Sequence, residues 1–328
     1  MSTLKDVAKE SGLTVTTVSR VLNDRGYISS EAKEKVKEAM LKLNYQPNEV
    51  ARSLSKQSTN TIGVIVPHIN HPYFAKLISY LEHQAYINGQ KILLFNSKEK
   101  HSKEKEYLEM CSGNRVSGII LCSGDIELNE FDSFDIPLIT IERYAQNTIA
   151  SIECDNFSGG ELAATHLIEC HCKHLMYFGK VNETAMPADL RAEGFRKICE
   201  SSKVLHKEIA TKEIQSGRID YRSEIAKILM ENPETDGVFV NSDVLAAQFL
   251  QVCASMHIKV PDQMKIIGFD DADICELTSP ALTTIHQPLA EMAKTAIEFL
   301  LHAKEGMLIP SRTILPVNLV KRETTIER

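Results

Sequence analysis

Residues Leu4–Asn23 read L-K-D-V-A-K-E-S-G-L-T-V-T-T-V-S-R-V-L-N, the pattern of two short amphipathic helices joined across a glycine. Leu4, Val7 and Ala8 fall at i, i+3 and i+4, as one face of a helix requires. Thr3 and Asp6 have capping-box spacing ahead of it, and Gly12 ends it. Thr14 is placed to cap a second helix, whose Val18, Val21 and Leu22 repeat the spacing. Together they form a helix-turn-helix. A third helix, capped by Ser29 or Ser30, carries Ala32, Val36, Ala39, Met40 and Leu43 on one face, enough for a small shared core.

With that core inside, Val15, Thr16, Ser19 and Arg20 stay on or near the outer side of the second helix. Thr16 and Arg20 stand one turn apart, and an arginine so placed can bond guanine O6 and N7 bidentately. Thr17 and Ser19 offer small hydroxyls suited to phosphate oxygens. The plainer alternative is a three-helix scaffold with a solvated polar face. Charge leans towards nucleic acid: residues 1–60 carry +3 and the remainder −10, within a total of −7. A basic head on an acidic body is expected when only one module meets phosphate.

Asn44–Leu54 reads N-Y-Q-P-N-E-V-A-R-S-L. Pro47 stops the third helix, and Asn48 can cap a new one bearing Val50, Ala51 and Leu54. A helix of so few residues is marginal by itself.

From Thr61 the pattern changes. Thr61–Pro67 (T-I-G-V-I-V-P), Gln90–Asn96, Ser117–Ser123 and Pro137–Glu142 are apolar runs of the kind buried in parallel sheets, with helical stretches at Pro72–Asn88 and Ser102–Asn114 between them. A helix near Phe157–Cys170 opens a second set, with strand-like runs at Lys173–Gly179, Glu208–Ile214, Asp236–Asn241 and Met264–Phe269. The fold expected is α/β: a small all-α head plus two doubly wound parallel-sheet subdomains. The expected boundaries are 1–46 for the head, 47–60 for a hinge, and 61–328 for a two-lobed body. In that body the first lobe takes 61–156 and 288–308, and the second takes 157–287 and 309–328.

Ligands of such sheets bind beyond the carboxyl ends of the strands. Asn70, His71, Tyr73 and Phe74 follow the first strand. Glu142 and Arg143 end another, Asp155 sits at the crossover, and Ser242, Asp243 and Asp270, Asp271 end two more. Carboxylates beside planar aromatics can grasp a polyhydroxylated ligand. Any single one of these Asp residues is as well explained as a helix cap.

Both N-terminal motifs, at their mutual spacing, resemble the lactose/galactose repressor family. D-N-F-S-G-G (Asp155–Gly160), L-R-A-E-G-F (Leu190–Phe195), I-I-G-F-D-D (Ile266–Asp271) and P-A-L-T-T-I-H-Q-P (Pro280–Pro288) are similar to its core motifs. The body is therefore expected to be periplasmic-binding-protein-like. The hinge and the Asn96–Met110 stretch look most like ribose- or sucrose-operon repressors. The resemblance implies a cytoplasmic transcription repressor, with Val15, Thr16 and Arg20 reading bases and Leu54 wedged in the minor groove. Thr3, Thr14, Thr17, Ser19, Asn23, Tyr45, Asn48, Ala51 and Arg52 would complete the DNA surface. It implies an effector site at Tyr73, Phe74, Arg191 and Asp270, flanked by Asn70, His71, Asp155, Ser242 and Asp243. Glu142 stands where many members carry Asp. The expected partners are operator duplex, a sugar or sugar phosphate, and a second copy of the chain. For a phosphate, His71, Arg143 or Arg191 could supply the cation.

Other classes find little support. The 328 residues are 43% apolar, with no run long enough to span a bilayer and no apolar segment of a signal peptide. That separates the chain from an exported sugar-binding protein of the same architecture. It has no G-x-G-x-x-G, Walker A, H-E-x-x-H or G-x-S-x-G, so neither a cofactor nor an enzyme is expected. Cys170-His171-Cys172-Lys173-His174 has metal-binding residue types, but it lacks a second spaced ligand pair, and no metal is expected there.

Overall fold

The computed structural model describes residues 2–23, 26–46, 59–98, 100–122, 136–144, 148–180, 185–211 and 220–326. Two compact units result, divided at Asn60/Thr61, with residues Asn114–Val116 grouped with the first.

In the head, α1 (Leu4–Ser11), α2 (Val15–Asn23) and α3 (Ser30–Lys42) pack around Val7, Ala8, Val18, Val36 and Ala39. The capping box forms as the spacing requires: Thr3 N donates to Asp6 Oδ2 at 2.8 Å, and Asp6 N donates to Thr3 Oγ1 at 3.3 Å. Gly12 closes α1 at φ +68°, a left-handed conformation that costs glycine little. Thr14 and Ser29 cap α2 and α3 through the backbone N–H of Thr17 and Ala32.

The body begins with β1 (Thr61–Val66), α4 (Pro72–Ile87), β2 (Lys91–Asn96), α5 (His101–Gly113), β3 (Gly118–Leu121), β4 (Leu138–Ile141) and β5 (Ala150–Cys154). The chain then crosses into α6 (Asn156–Glu169), β6 (His174–Lys180), α7 (Leu190–Ser201), β7 (Leu205–Thr211), α8 (Arg222–Glu231), β8 (Gly237–Val240), α9 (Asp243–Ser255), β9 (Lys265–Asp270), α10 (Ile274–Leu277) and β10 (Thr283–His286). It returns as α11 (Leu289–Lys304) and β11 (Arg312–Leu315), and crosses again to β12 (Asn318–Val320).

The sheets run β11-β5-β4-β3-β1-β2 and β12-β10-β9-β8-β6-β7. Every pairing is parallel except β10 with β12. In each sheet the order reverses beside the first strand, between β1 and β3 and between β6 and β8. Those are the switch points where crevices open at the carboxyl ends.

The continuous apolar runs become fully buried strands: Ile62, Val64, Ile65 and Val66 of β1 are each at most 1% exposed. On α4, Leu77 and Leu81 pack into the same core as Met292, Ala296 and Ile297 of α11, which brings the returning chain back to the first lobe. Each such side chain contributes roughly 1.5–3 kcal/mol by leaving water. The second lobe builds its core on Phe178, Phe239, Phe249, Phe269 and Phe195.

One expected boundary needs correction. Residues 309–315 belong with the first lobe, because β11 pairs with β5, Arg312 opposite Ser151 through Leu315 opposite Cys154. That pairing covers what would be an open sheet edge. Three segments therefore join the lobes: Cys154–Asn156, His286–Leu289 and Leu315–Asn318. β5, β10, β11 and β12 are short, and the sequence reading had no strands there.

Candidate functional site

In the head, α2 presents Val15, Thr16 and Arg20 outward; Val15 is 41% exposed although apolar. Thr14 and Thr17 share a hydroxyl contact of 2.8 Å, so both are partly engaged in starting the helix. Ser19 and Asn23 are half-buried and tied together, Asn23 Nδ2 donating to Ser19 O at 2.8 Å. Tyr45 packs on the head core. Asn48, Ala51, Arg52 and Leu54 lie outside the described residues.

In the body, the second site assembles where the lobes face each other. Arg191, near the start of α7 and 6% exposed, is held on all sides. Its Nε donates to Asn156 Oδ1 at 2.7 Å and its Nη1 to Asn241 O at 2.7 Å. Its Nη2 lies 3.9 Å from Glu142 Oε2, and the guanidinium carbon sits 3.5 Å from the centroid of the Phe269 ring. Glu142 accepts from Cys154 N at 2.5 Å and from Asn156 Nδ2 at 2.9 Å. One side chain thus binds the end of β4 to the crossover.

Asp270 is the last residue of β9, buried, and accepts from Gln287 Nε2 at 2.7 Å. Burial raises its pKa well above the usual carboxylate range, and the neighbouring Asp243 charge adds to that. Burial likewise raises the Glu142 carboxyl and the Tyr73 phenol. Glu142, Asp270 and Asp271 have φ of +54°, +120° and +56°, conformations that non-glycine residues avoid. Such strain gathers at ligand sites.

Three buried polar atoms here have no hydrogen-bond partner: Tyr73 Oη, Asn241 Oδ1 and Gln287 Oε1. Leaving each unmet costs about 1–3 kcal/mol, so a ligand or ordered water is the natural complement. Beside them a pocket of about 270 Å³ is lined by Lys76 and Tyr80 of α4, Asp271, His286 and Gln287, and the start of α11.

The other expected effector residues divide. Phe74 packs edge-on to Tyr73 at 4.9 Å, and His71 stands 5.8 Å from Phe74, so these rings form one wall. Asn70 is exposed. Asp155 caps α6, accepting from Ser158 N and Oγ at 2.9 and 2.7 Å, and Ser242 caps α9. Asp243 is fully buried, accepting from Ala272 N at 2.8 Å and Thr284 Oγ1 at 2.6 Å. It ties the turn after β9 to β10 and presents no surface to a ligand, a correction to its expected place in the site. Asn156, Asn241 and Gln287 were not among the expected site residues. Their signal was positional, since Asn241 directly follows β8 and Gln287 follows β10.

Among the described residues no group of His, Cys, Asp and Glu is placed to hold a metal, and none of the helices is long and apolar enough to cross a membrane. Cys172 donates instead to Asp236 O at 3.5 Å.

A helix-turn-helix head joined to a two-lobed, periplasmic-binding-protein-like body defines a ligand-responsive DNA-binding regulator. Residues 3–48 match the family model described as bacterial regulatory proteins, lacI family, and residues 164–325 match the periplasmic binding protein-like domain. The sucrose operon repressor of Streptococcus mutans is 36% identical over 98% of both chains. The ribose operon repressor of Halalkalibacterium halodurans is 34% identical over 99% of this chain and 97% of its own. A crystal structure of a periplasmic binding protein/LacI transcriptional regulator from Alkaliphilus metalliredigens, complexed with D-xylulofuranose, superposes with a TM-score of 0.72 at 32% identity, over 82% of this chain and all of that one. This chain belongs to the lacI family. It is a DNA-binding transcriptional repressor, not an enzyme.

Proposed function

We propose that the chain represses a sugar-utilisation operon and is controlled by a small sugar or sugar phosphate held between its lobes. The observation that carries this reading is the set of unpartnered buried oxygens on Tyr73, Asn241 and Gln287 around Arg191 and Asp270. Asn241 and Gln287 follow strand ends and Tyr73 opens α4, in a cleft whose walls are joined by three short segments and so can close or twist as rigid bodies. The operon-repressor relatives and the sugar-bound neighbour support it.

The head reads DNA through Val15, Thr16 and Arg20. A near-palindromic operator and a homodimer go together, since two heads on a two-fold axis need two half-sites. Exposed Tyr86 and Ile87 on the first lobe and Leu277 on the second offer apolar surface for a second copy to cover. On operator, Asn48 caps a hinge helix that carries Ala51, Arg52 and Leu54, and Leu54 enters the minor groove. Closure of the cleft changes the spacing of the two hinges, so ligand and operator are linked reciprocally. The protein works in the cytoplasm, on the nucleoid when operator-bound.

The test is fluorescence anisotropy of labelled DNA from upstream of its own gene, titrated with the full-length chain at low ionic strength, with and without candidate sugars. A saturable shift that one sugar alters is expected. Equal binding to unrelated DNA, unaffected by every sugar, would overturn the reading.

A further inference from the structure

We infer that the cleft selects an uncharged, hydroxyl-rich sugar over its phosphorylated form. The inference rests on the sugar-responsive reading above and narrows its ligand class.

It follows from which hydrogen-bonding capacity is spent and which is open. Among the described residues, the cleft-side cations Arg191 and Lys76 already have protein partners. Arg191 donates to Asn156 and to the Asn241 carbonyl, stands by Glu142 and has one face covered by Phe269. Lys76 donates to Asp271 O at 3.2 Å and to Asp273 Oδ1 at 2.9 Å. Arg143, a candidate phosphate anchor by sequence, is 3% exposed and lies 3.9 Å from Glu104, itself fully buried. That pair belongs to the interior of the first lobe.

The open groups are acceptors. Gln287 has its amide orientation set by donation to Asp270, which leaves Oε1 facing the other way without a partner. Asn241 Oδ1 is a second acceptor, and Tyr73 Oη can accept as well as donate. Gln287 is 1% exposed and Tyr73 7%, so water does not freely serve either. An acceptor-rich site calls for a ligand rich in donors. Sugar hydroxyls supply them.

A phosphate monoester is an acceptor only, and near neutral pH it carries most of two negative charges. It would have to shed its water into a low-dielectric cleft where burial already disfavours charge on Asp270 and Glu142, and would leave the open oxygens unmet. Moving Arg191 onto it would strip Asn156, Asn241 and Glu142 of their cation.

The experiment is calorimetric titration of the full-length protein with matched pairs: ribose and ribose 5-phosphate, xylulose and xylulose 5-phosphate, fructose and fructose 6-phosphate, sucrose and sucrose 6-phosphate. At least one free sugar is expected to bind, and its phosphate to bind at least about tenfold more weakly. A phosphate that binds as well as or better than its free sugar overturns this inference and leaves the sugar reading standing. Silence from both series overturns the sugar reading itself. Tyr73→Phe provides an independent check. It removes a hydroxyl that has no partner within the protein, so the melting temperature should hold or rise while affinity for the free sugar falls about fivefold or more. Unchanged affinity would remove the Tyr73 hydroxyl from the recognition set and overturn the acceptor argument.

Discussion

Lys76 of the first lobe places its ammonium 2.9 Å from Asp273 Oδ1 and 3.2 Å from the Asp271 carbonyl of the second lobe. The contact spans the cleft without depending on any ligand, and its two ends lie far apart in sequence. Asp273 is 85% exposed, so screening keeps the ion pair weak. Its influence falls on the relative pose of the lobes more than on folding. Lys76→Ala should leave the melting temperature within a few degrees, since the pair is worth at most about 1 kcal/mol. The sugar concentration for half-maximal operator response should shift by about two- to fivefold. An unaltered dose response would show that this bridge does not bias closure.

The crossing of α6 and α7 is set by two glycines. A Cβ on Gly160 would stand 2.1 Å from Arg191 O, and one on Gly194 would stand 2.0 Å from Phe157 O. Both obstacles are backbone, which cannot rotate away. Gly160→Ala should therefore push α7, and Arg191 with it, out of place, costing about 1–3 kcal/mol and most of the sugar affinity. Gly113→Ala is the control, because a methyl there meets nothing within 4 Å. Thermal melts and sugar titrations of both variants decide the matter. A Gly160→Ala protein as stable as its control would contradict the packing argument.

Arg20 projects from α2 with no partner role in the head core. Arg20→Ala should cost about 1–3 kcal/mol of discrimination between operator and unrelated DNA, with sugar affinity unchanged. Competition binding at two salt concentrations checks it. Parallel loss of sugar binding would contradict the separation of head and body functions.

Asp243 sets a pH dependence. Burial pushes its carboxyl up to about 6 from the ordinary aspartate range, with hydrogen bonds from Thr284 and Ala272 only partly offsetting it. The folded protein then holds a proton that the unfolded chain has released, so stability attributable to this group falls as pH rises from about 4 to about 6 and levels off above. Asp243→Asn should remove that slope, and the variant should gain on the parent steadily across the same interval. Denaturant midpoints at several pH values report it. Parallel pH profiles would be the contrary result.

Local periodicity alone determined the head, since Leu4, Val7, Ala8 and Val18, Val21, Leu22 can bury a common core only as short helices. Burial demands likewise made Thr61–Val66 and Gly118–Leu121 interior parallel strands, whereas the close crossing of α6 and α7 at Gly160 and Gly194 emerged only from the packing. Tertiary structure alone decided which polar side chains remain for a ligand. Asp155, Ser242 and Asp243 look like Asp270 in sequence, yet their oxygens are engaged by Ser158, Leu245, Ala272 and Thr284. Asn241 and Gln287 are unremarkable in sequence, yet each keeps a buried oxygen unpartnered. Asp155 and Ser242 meet donors three residues on, as helix caps do, but the donors to Asp243 and Asp270 come from 17 to 41 residues away, and only the packed lobe brings them together.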